Sequence, residues 1–181
     1  MADGRWTHSL TVQGVDATRD SDSNFVRTGG DDGTRLKGSY ATTLRIDAGE
    51  VTQKLTGAYD YERETYRNTN PVGPFNADTT RRAVRNDGLV GQYDLTADRA
   101  GAGVAIRHDR NDRFRDATTY RVQGFYRLTD ELRLRGALGS GIKNPTQTQL
   151  FGYNAAAFPF VGNPNLRPER SQGWEAGADL N

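Results

Sequence analysis

Eight segments of this 181-residue chain alternate apolar and polar residues with a period of two. That period is the signature of a strand with one dry and one wet face. The first segment places Trp6, His8, Leu10 and Val12 on one face. The second does so with Leu36, Gly38, Tyr40, Thr42, Leu44 and Ile46, and the third with Val51, Leu55, Gly57, Tyr59 and Tyr61. Leu89, Gly91, Tyr93 and Leu95 follow, then Ala102, Val104 and Ile106. Tyr120, Val122, Gly124, Tyr126 and Leu128 make the sixth, Leu132, Leu134, Gly136 and Leu138 the seventh. Trp174, Ala176, Ala178 and Leu180 make the last. The reverse faces are polar: Arg35, Lys37, Ser39, Thr43 and Arg45 in the second segment, Thr119, Arg121, Gln123 and Arg127 in the sixth, with Phe125 dissenting.

A soluble sheet with one solvated face shows the same alternation. The connections discriminate. Tight turns are expected at Asp47 to Glu50, Thr96 to Ala100 and Thr129 to Glu131. Long loops are expected at Asp16 to Gly33, Thr65 to Arg82, Asp109 to Asp116 and Ser140 to Ser171. Alternating tight turns and long loops is how outer-membrane barrels are wired. Aromatics on the apolar faces, from Trp6 through Tyr59 and Tyr93 to Trp174, suit the interfacial girdles of such barrels, although cross-strand pairs in a soluble sheet would look alike. The hydrophobic fraction of 34% is low for a membrane protein, but in a barrel only every second strand residue meets lipid. Lys plus Arg number 24 against 23 for Asp plus Glu, which disfavours a nucleic-acid binder. No apolar run reaches the roughly 20 residues of a transmembrane helix, and the opening residues lack the apolar core of a signal peptide. The absence of Cys removes disulfides and thiolate metal sites.

The stretch from Gly139 to Glu175 carries two Asn-Pro pairs, Asn144-Pro145 and Asn163-Pro164, then Arg167-Pro168-Glu169. Each proline fixes its own φ and biases its predecessor toward extended geometry, so the stretch reads as a long shaped loop without helix. Its residues Gly139, Gly141, Lys143, Pro145, Thr146, Leu150, Gly152, Gly162, Asn163, Pro164, Leu166, Arg167, Pro168, Glu169, Ser171, Trp174 and Glu175 resemble, in register, the barrel signature of TonB-dependent outer-membrane receptors. Asn144 departs from the Ala of many relatives. The resemblance is sharp for about forty residues and holds only as a pattern elsewhere. It implies an all-β fold: an antiparallel transmembrane β-barrel segment of about eight up-and-down strands, from a larger barrel of about 22. Residues 1–181 would then be a partial barrel domain, with the plug domain and the closing C-terminal strands absent. It further implies location in the bacterial outer membrane and contact with its lipid. The function it implies is active uptake of a large, scarce ligand, cobalamin or a ferric siderophore, powered by the TonB complex acting through the plug. A small passive or structural eight-stranded outer-membrane barrel, and a soluble calcium-binding β-module, are the alternatives.

Two candidate sites remain open at this level. Aromatic residues Tyr66, Phe75, Phe151, Tyr153, Phe158 and Phe160 interrupt polar loops. They can grip a ligand over a barrel mouth or pack the loops together, and packing is expected for most. Asp20, Asp22, Asn24 and Asp31 partly copy the oxygen spacing of an EF-hand loop, but Phe25 stands where that loop needs Gly. A solvated polar loop is the favoured reading, weak calcium binding the other. No cofactor besides calcium is suggested. No nucleophile–base arrangement, Walker loop or dinucleotide fingerprint is present, so no enzyme is expected. His8 and His108 read as single interfacial residues.

Overall fold

The computed structural model describes residues 5–69, 79–154 and 160–180. Eight long strands form one antiparallel sheet: β1 (Trp6–Ser23), β2 (Val26–Ala48), β3 (Val51–Asn68), β4 (Arg82–Thr96), β5 (Ala100–Asn111), β6 (Ala117–Arg127), β7 (Leu132–Lys143) and β10 (Glu169–Leu180). Each pairs with its neighbours in chain order, β10 lying beside β7. Between β7 and β10 lie a five-residue helix, α1 (Gln147–Phe151), and two-residue strands β8 (Tyr153–Asn154) and β9 (Phe160–Val161).

The register explains why the alternation is so regular. Trp6 pairs with Leu44, Leu44 with Leu55, Leu55 with Tyr93, and Tyr93 with Val104. Val104 pairs with Val122, Val122 with Leu138, and Leu138 with Trp174. Directly paired residues share a face, so one apolar row crosses all eight strands. A slip of one residue anywhere would turn a strand's apolar side chains to the wrong face. Every member of the row is exposed, Trp174 to 83%. Among the described residues, the buried hydrophobic side chains are only Tyr66, Ala117, Leu150 and Tyr153. The sheet therefore wears its hydrophobic surface outward. In water, an apolar patch of this extent marks an interaction surface. Along β2 the apolar face runs from Leu36 to Ile46. Ten steps at about 3.4 Å, tilted by about 40°, span about 25 Å, the height of the apolar band of an outer-membrane barrel.

Tight turns connect β2 to β3 through Gly49, at φ 61°, β4 to β5 around residues 97–99, and β6 to β7 around residues 128–131. Two expectations are corrected. The segment Asp16 to Gly33 is not a loop. β1 and β2 continue as a paired hairpin to a two-residue turn, Asn24-Phe25, with φ 50° and 60°. Positive φ at both turn positions matches the twist of the flanking strands. Above the apolar band both faces of this hairpin are wet, so pairing there needs no hydrophobic alternation. Arg19–Asp31 and Arg27–Asp20 ion pairs join its two strands instead. The stretch after β7 is not free of helix: α1 begins right after Thr146, whose side chain accepts a 3.2 Å hydrogen bond from the Gln149 backbone N–H. Gln149 Oε1 in turn accepts from the Thr146 N–H at 2.9 Å. This reciprocal capping box starts the helix despite Pro145. The remaining loops are shorter than expected, because β3, β5 and β7 run on to Asn68, Asn111 and Lys143.

Candidate functional site

Even-numbered residues of β3, including Glu62, Glu64, Tyr66 and Asn68, lie on the polar face, opposite the Leu55–Tyr61 side. The segment after β7 crosses to this face. Asn68 Nδ2 donates to the Phe151 carbonyl at 2.6 Å, and β8 adds to the far end of β2 through Gly29 and Asn154. Leu150, Tyr66 and Tyr153 are buried, Leu150 with 1% exposure, together with polar Asn68 and Gln147. Here, over the polar face, sits the only cluster of buried large apolar side chains among the described residues. The Tyr66 hydroxyl donates to Asn68 Oδ1 at 3.0 Å. Among the described residues, Gln147 Oε1 and the Tyr153 hydroxyl have no hydrogen-bond partner.

The signature residues build this fold of the loop. Gly162 must be glycine: a Cβ there would stand 2.6 Å from the Leu150 carbonyl carbon and 2.7 Å from its oxygen. The close approach lets the Gly162 N–H donate to Gly152 O at 2.7 Å, and the Asn163 N–H to Gln149 O at 2.8 Å. These bonds satisfy carbonyls at the end of α1 that have no partner within the helix. Asn163 Oδ1 accepts from the Asn165 N–H at 3.0 Å, closing a side-chain turn around Pro164. Leu166 returns to the Asn163 carbonyl at 3.3 Å. Gly139, Gly141 and Lys143 pair with Gly173, Ser171 and Glu169. Trp174 sits on the apolar face opposite Leu138, and Glu175 on the polar face opposite Ala137. Pro145 and Pro168 flank the crossing segment.

Of the aromatic loop candidates, Tyr66 and Tyr153 are not exposed tips but parts of the buried cluster. The Phe151 ring has the Arg82 and Arg113 guanidinium carbons 4.3 and 4.6 Å from its centroid. Arg113 Nη2 also donates to the Pro164 carbonyl at 3.1 Å. Cations over an aromatic face are attracted by its quadrupole, so the two arginines tie the crossing segment to β4 and to the β5–β6 connection. Phe160 lies in β9; Phe75 and Phe158 lie outside the described residues. Sequence reasoning missed Asn68, Gln147, Arg82 and Arg113. The Thr146–Gln149 spacing signals the capping box, but nothing local marks Asn68.

Several titratable groups lie beyond the apolar band. Burial pushes the Glu64 carboxyl up, against the pull of Arg35. Burial also raises the Tyr66 phenol, with Asp31 adding to it. Asp32 is held below the usual carboxylate range, chiefly by its hydrogen bond from Arg67. Lower on the polar face, Arg107 bridges Asp60 at 2.5 Å and Asp109 at 2.7 Å. The calcium candidates do not converge. Asp20 pairs with Gly30 in register, while Asp31 pairs with Arg19, so the two carboxylates point to opposite faces. Each is already engaged by an arginine, Arg27 and Arg19 respectively. Asn24 occupies the hairpin turn, and Asp22 sits opposite Arg27 beside a bulge. Among the described residues, no three His, Cys, Asp or Glu side chains gather as a metal set.

Comparison with known proteins places this geometry. The chain is 35% identical over 71 residues to the Vitamin B12 transporter BtuB of Photobacterium profundum, a match covering 39% of the chain and 11% of that protein. It superposes on the siderophore receptor PirA from Pseudomonas aeruginosa with a TM-score of 0.72 at 14% identity, covering 97% of the chain and 37% of the receptor. For PirA from Acinetobacter baumannii the TM-score is 0.68 at 14% identity, over 97% of the chain and 33% of the receptor. At such identities the structural likeness speaks for the fold. The chain thus spans a minor part of these relatives. The family model described as TonB dependent receptor-like, beta-barrel, matches residues 2–181, nearly the whole chain, and the chain belongs to that family.

Proposed function

We propose that this chain is a wall segment of an outer-membrane receptor that imports a large, scarce ligand, cobalamin or a ferric siderophore, with energy delivered by TonB. Its strands would form about a third of a barrel of about 22, with the plug and remaining strands in the rest of the receptor. The observation that carries this reading is the pairing of two opposite surfaces. One unbroken apolar row faces outward across eight strands, and the signature segment folds onto the polar reverse face. A barrel wall needs the first, and a ligand-facing loop over the lumen needs the second. The tall β1–β2 hairpin and the two longest connections, residues 69–81 and 144–168, rise from one edge while tight turns close the other, which supports an extracellular position for the folded segment. The nature of the ligand is supported by the names of the relatives, which divide between vitamin B12 and siderophores.

The test uses the complete receptor in cells lacking their own cobalamin and siderophore receptors. Uptake of cobalt-labelled cyanocobalamin and of iron-labelled siderophore is measured with and without a functional TonB. Saturable uptake of one ligand that vanishes without TonB supports the reading. Linear permeation independent of TonB would instead indicate the passive barrel.

A further inference from the structure

The apolar face changes character at the long-loop end. In β3, Tyr59 and Tyr61 are followed on the same face by Arg63, and Arg63 pairs directly with Arg85 of β4. One row lower, Asp87 pairs with Arg110 of β5. Like charges directly opposite each other destabilise a sheet unless an anion sits between them. Asp87 cannot serve all three arginines. It already takes Arg85 Nε at 2.7 Å and a hydrogen bond from the Tyr59 hydroxyl. Among the described residues, Arg63 and Arg110 have neither hydrogen bond nor ion pair through their side chains, and both are exposed. Asp112 is turned to the Arg85 backbone N–H at 3.0 Å.

The excess continues upward. Arg67 and Arg81 share the single carboxylate of Asp32, at 2.5 and 2.6 Å. Just above the rim of tyrosines, Asp87 and Asp32 are thus taken by other arginines, and Arg63 and Arg110 are left over. At the opposite end of the sheet, Arg99 faces Asp130 at 3.9 Å. Arg63 and Arg110 lie on the side and at the height where headgroups of the outer leaflet would lie.

We propose that Arg63, Arg85 and Arg110 bind the phosphate of a lipid headgroup in the outer leaflet. The inference rests on the membrane-spanning reading above. Guanidinium is the group best matched to phosphate, which it can hold through two parallel N–H bonds. Arg85 is already oriented, by Asp87 and by the Tyr61 ring 5.3 Å from its guanidinium. Arg63 and Arg110 flank it with unused donors. The occupant is a lipid, not free phosphate, because Tyr59, Tyr61 and Leu89 continue directly below and offer acyl chains an apolar wall.

The test compares the complete receptor with Arg63→Gln/Arg110→Gln, which leaves Asp87 its Arg85 partner and so orphans no carboxylate. A control, Lys37→Gln/Lys54→Gln, removes equal charge from the polar face. Each protein is inserted into vesicles of equal phosphatidylglycerol and phosphatidylcholine, extracted in neutral detergent, and its retained lipids are counted by native mass spectrometry. The parent and control should keep phosphatidylglycerol about tenfold over phosphatidylcholine, and the double variant should fall close to parity. Added inorganic phosphate at millimolar concentration should leave the ratio unchanged. Equal ratios in parent and variant, or displacement of the lipid by inorganic phosphate, would overturn the inference. In that case insertion itself still stands. A parent that fails to insert at all sinks the inference and the membrane reading together.

Discussion

Val122→Arg in the complete barrel probes the register of the whole sheet. Val122 lies between Val104 and Leu138 in the apolar row, two residues from Tyr120 and four from Tyr126. It is therefore close to the middle of the band, where an arginine facing lipid costs roughly 2–4 kcal/mol. That corresponds to a roughly 30- to 700-fold loss in the folding equilibrium. Gln123, its chain neighbour, lies on the polar face between Gly103 and Ala137. Asp94 Oδ1 approaches the same Gly103 position, so an arginine at residue 123 would gain a carboxylate partner, offsetting the acceptor that Arg121 loses in Gln123 Oε1 at 3.1 Å. Gln123→Arg should cost less than about 1 kcal/mol, the range of an exposed ion-pair site. Denaturant titration of both variants in liposomes reads the difference, and vesicle flotation checks that each inserts. Equal costs, or a larger cost at residue 123, would refute both the register and the assignment of the apolar face to lipid.

Leu150→Ala should empty the fully buried position under the crossing segment, at a cost of about 2–5 kcal/mol. Because few contacts tie that segment to the sheet, hydrogen exchange should speed up across residues 144–154 and 160–168 while the long strands stay protected; unchanged exchange would show that the segment is held elsewhere. Asp32 is depressed by Arg67, so its contribution is complete above the ordinary carboxylate value of about 3.9 and is lost as pH falls through its lower folded value. Protection of the upper β2–β3 ladder should thus weaken below about pH 4, and Asp32→Asn should abolish that dependence; an identical acid profile in the variant would count against the ion pairs. Calcium titration of the receptor should reveal no site that Asp22→Ala removes, since Asp20 and Asp31 face opposite ways; a site lost in the variant would mean the hairpin rearranges.

The eight strands were legible because lipid-facing residues have no choice but to be apolar, and the row from Trp6 to Trp174 repeats that demand in every strand. The upper half of the β1–β2 hairpin was not legible for the same reason in reverse. With water on both faces, Asp16 to Gly33 carries no alternation, and its composition resembles a loop. The prolines pointed away from helix, yet Thr146 and Gln149 cap α1 within one turn. Burial of Tyr66 was invisible in the sequence because it depends on a hydrogen bond between residues 83 positions apart, Asn68 to Phe151. The same distance hides Arg82 and Arg113, whose contacts with Phe151 exist only after the crossing segment has come down.

Because every long strand pairs with its chain neighbour, the sheet can assemble as a zipper, each hairpin templating the next. The tight turns make most of these steps fast. Joining β7 to β10 is the slow one, since it must close over 25 intervening residues, 144–168. Relative to a two- or three-residue turn, chain entropy alone raises that closure by about 2 kcal/mol. The bonds from Gly162 and Asn163 back to Gly152 and Gln149 cut this span short. Formed early, they let β10 arrive with most of its loop already folded, so Gly162 would govern the speed of assembly as much as the final shape.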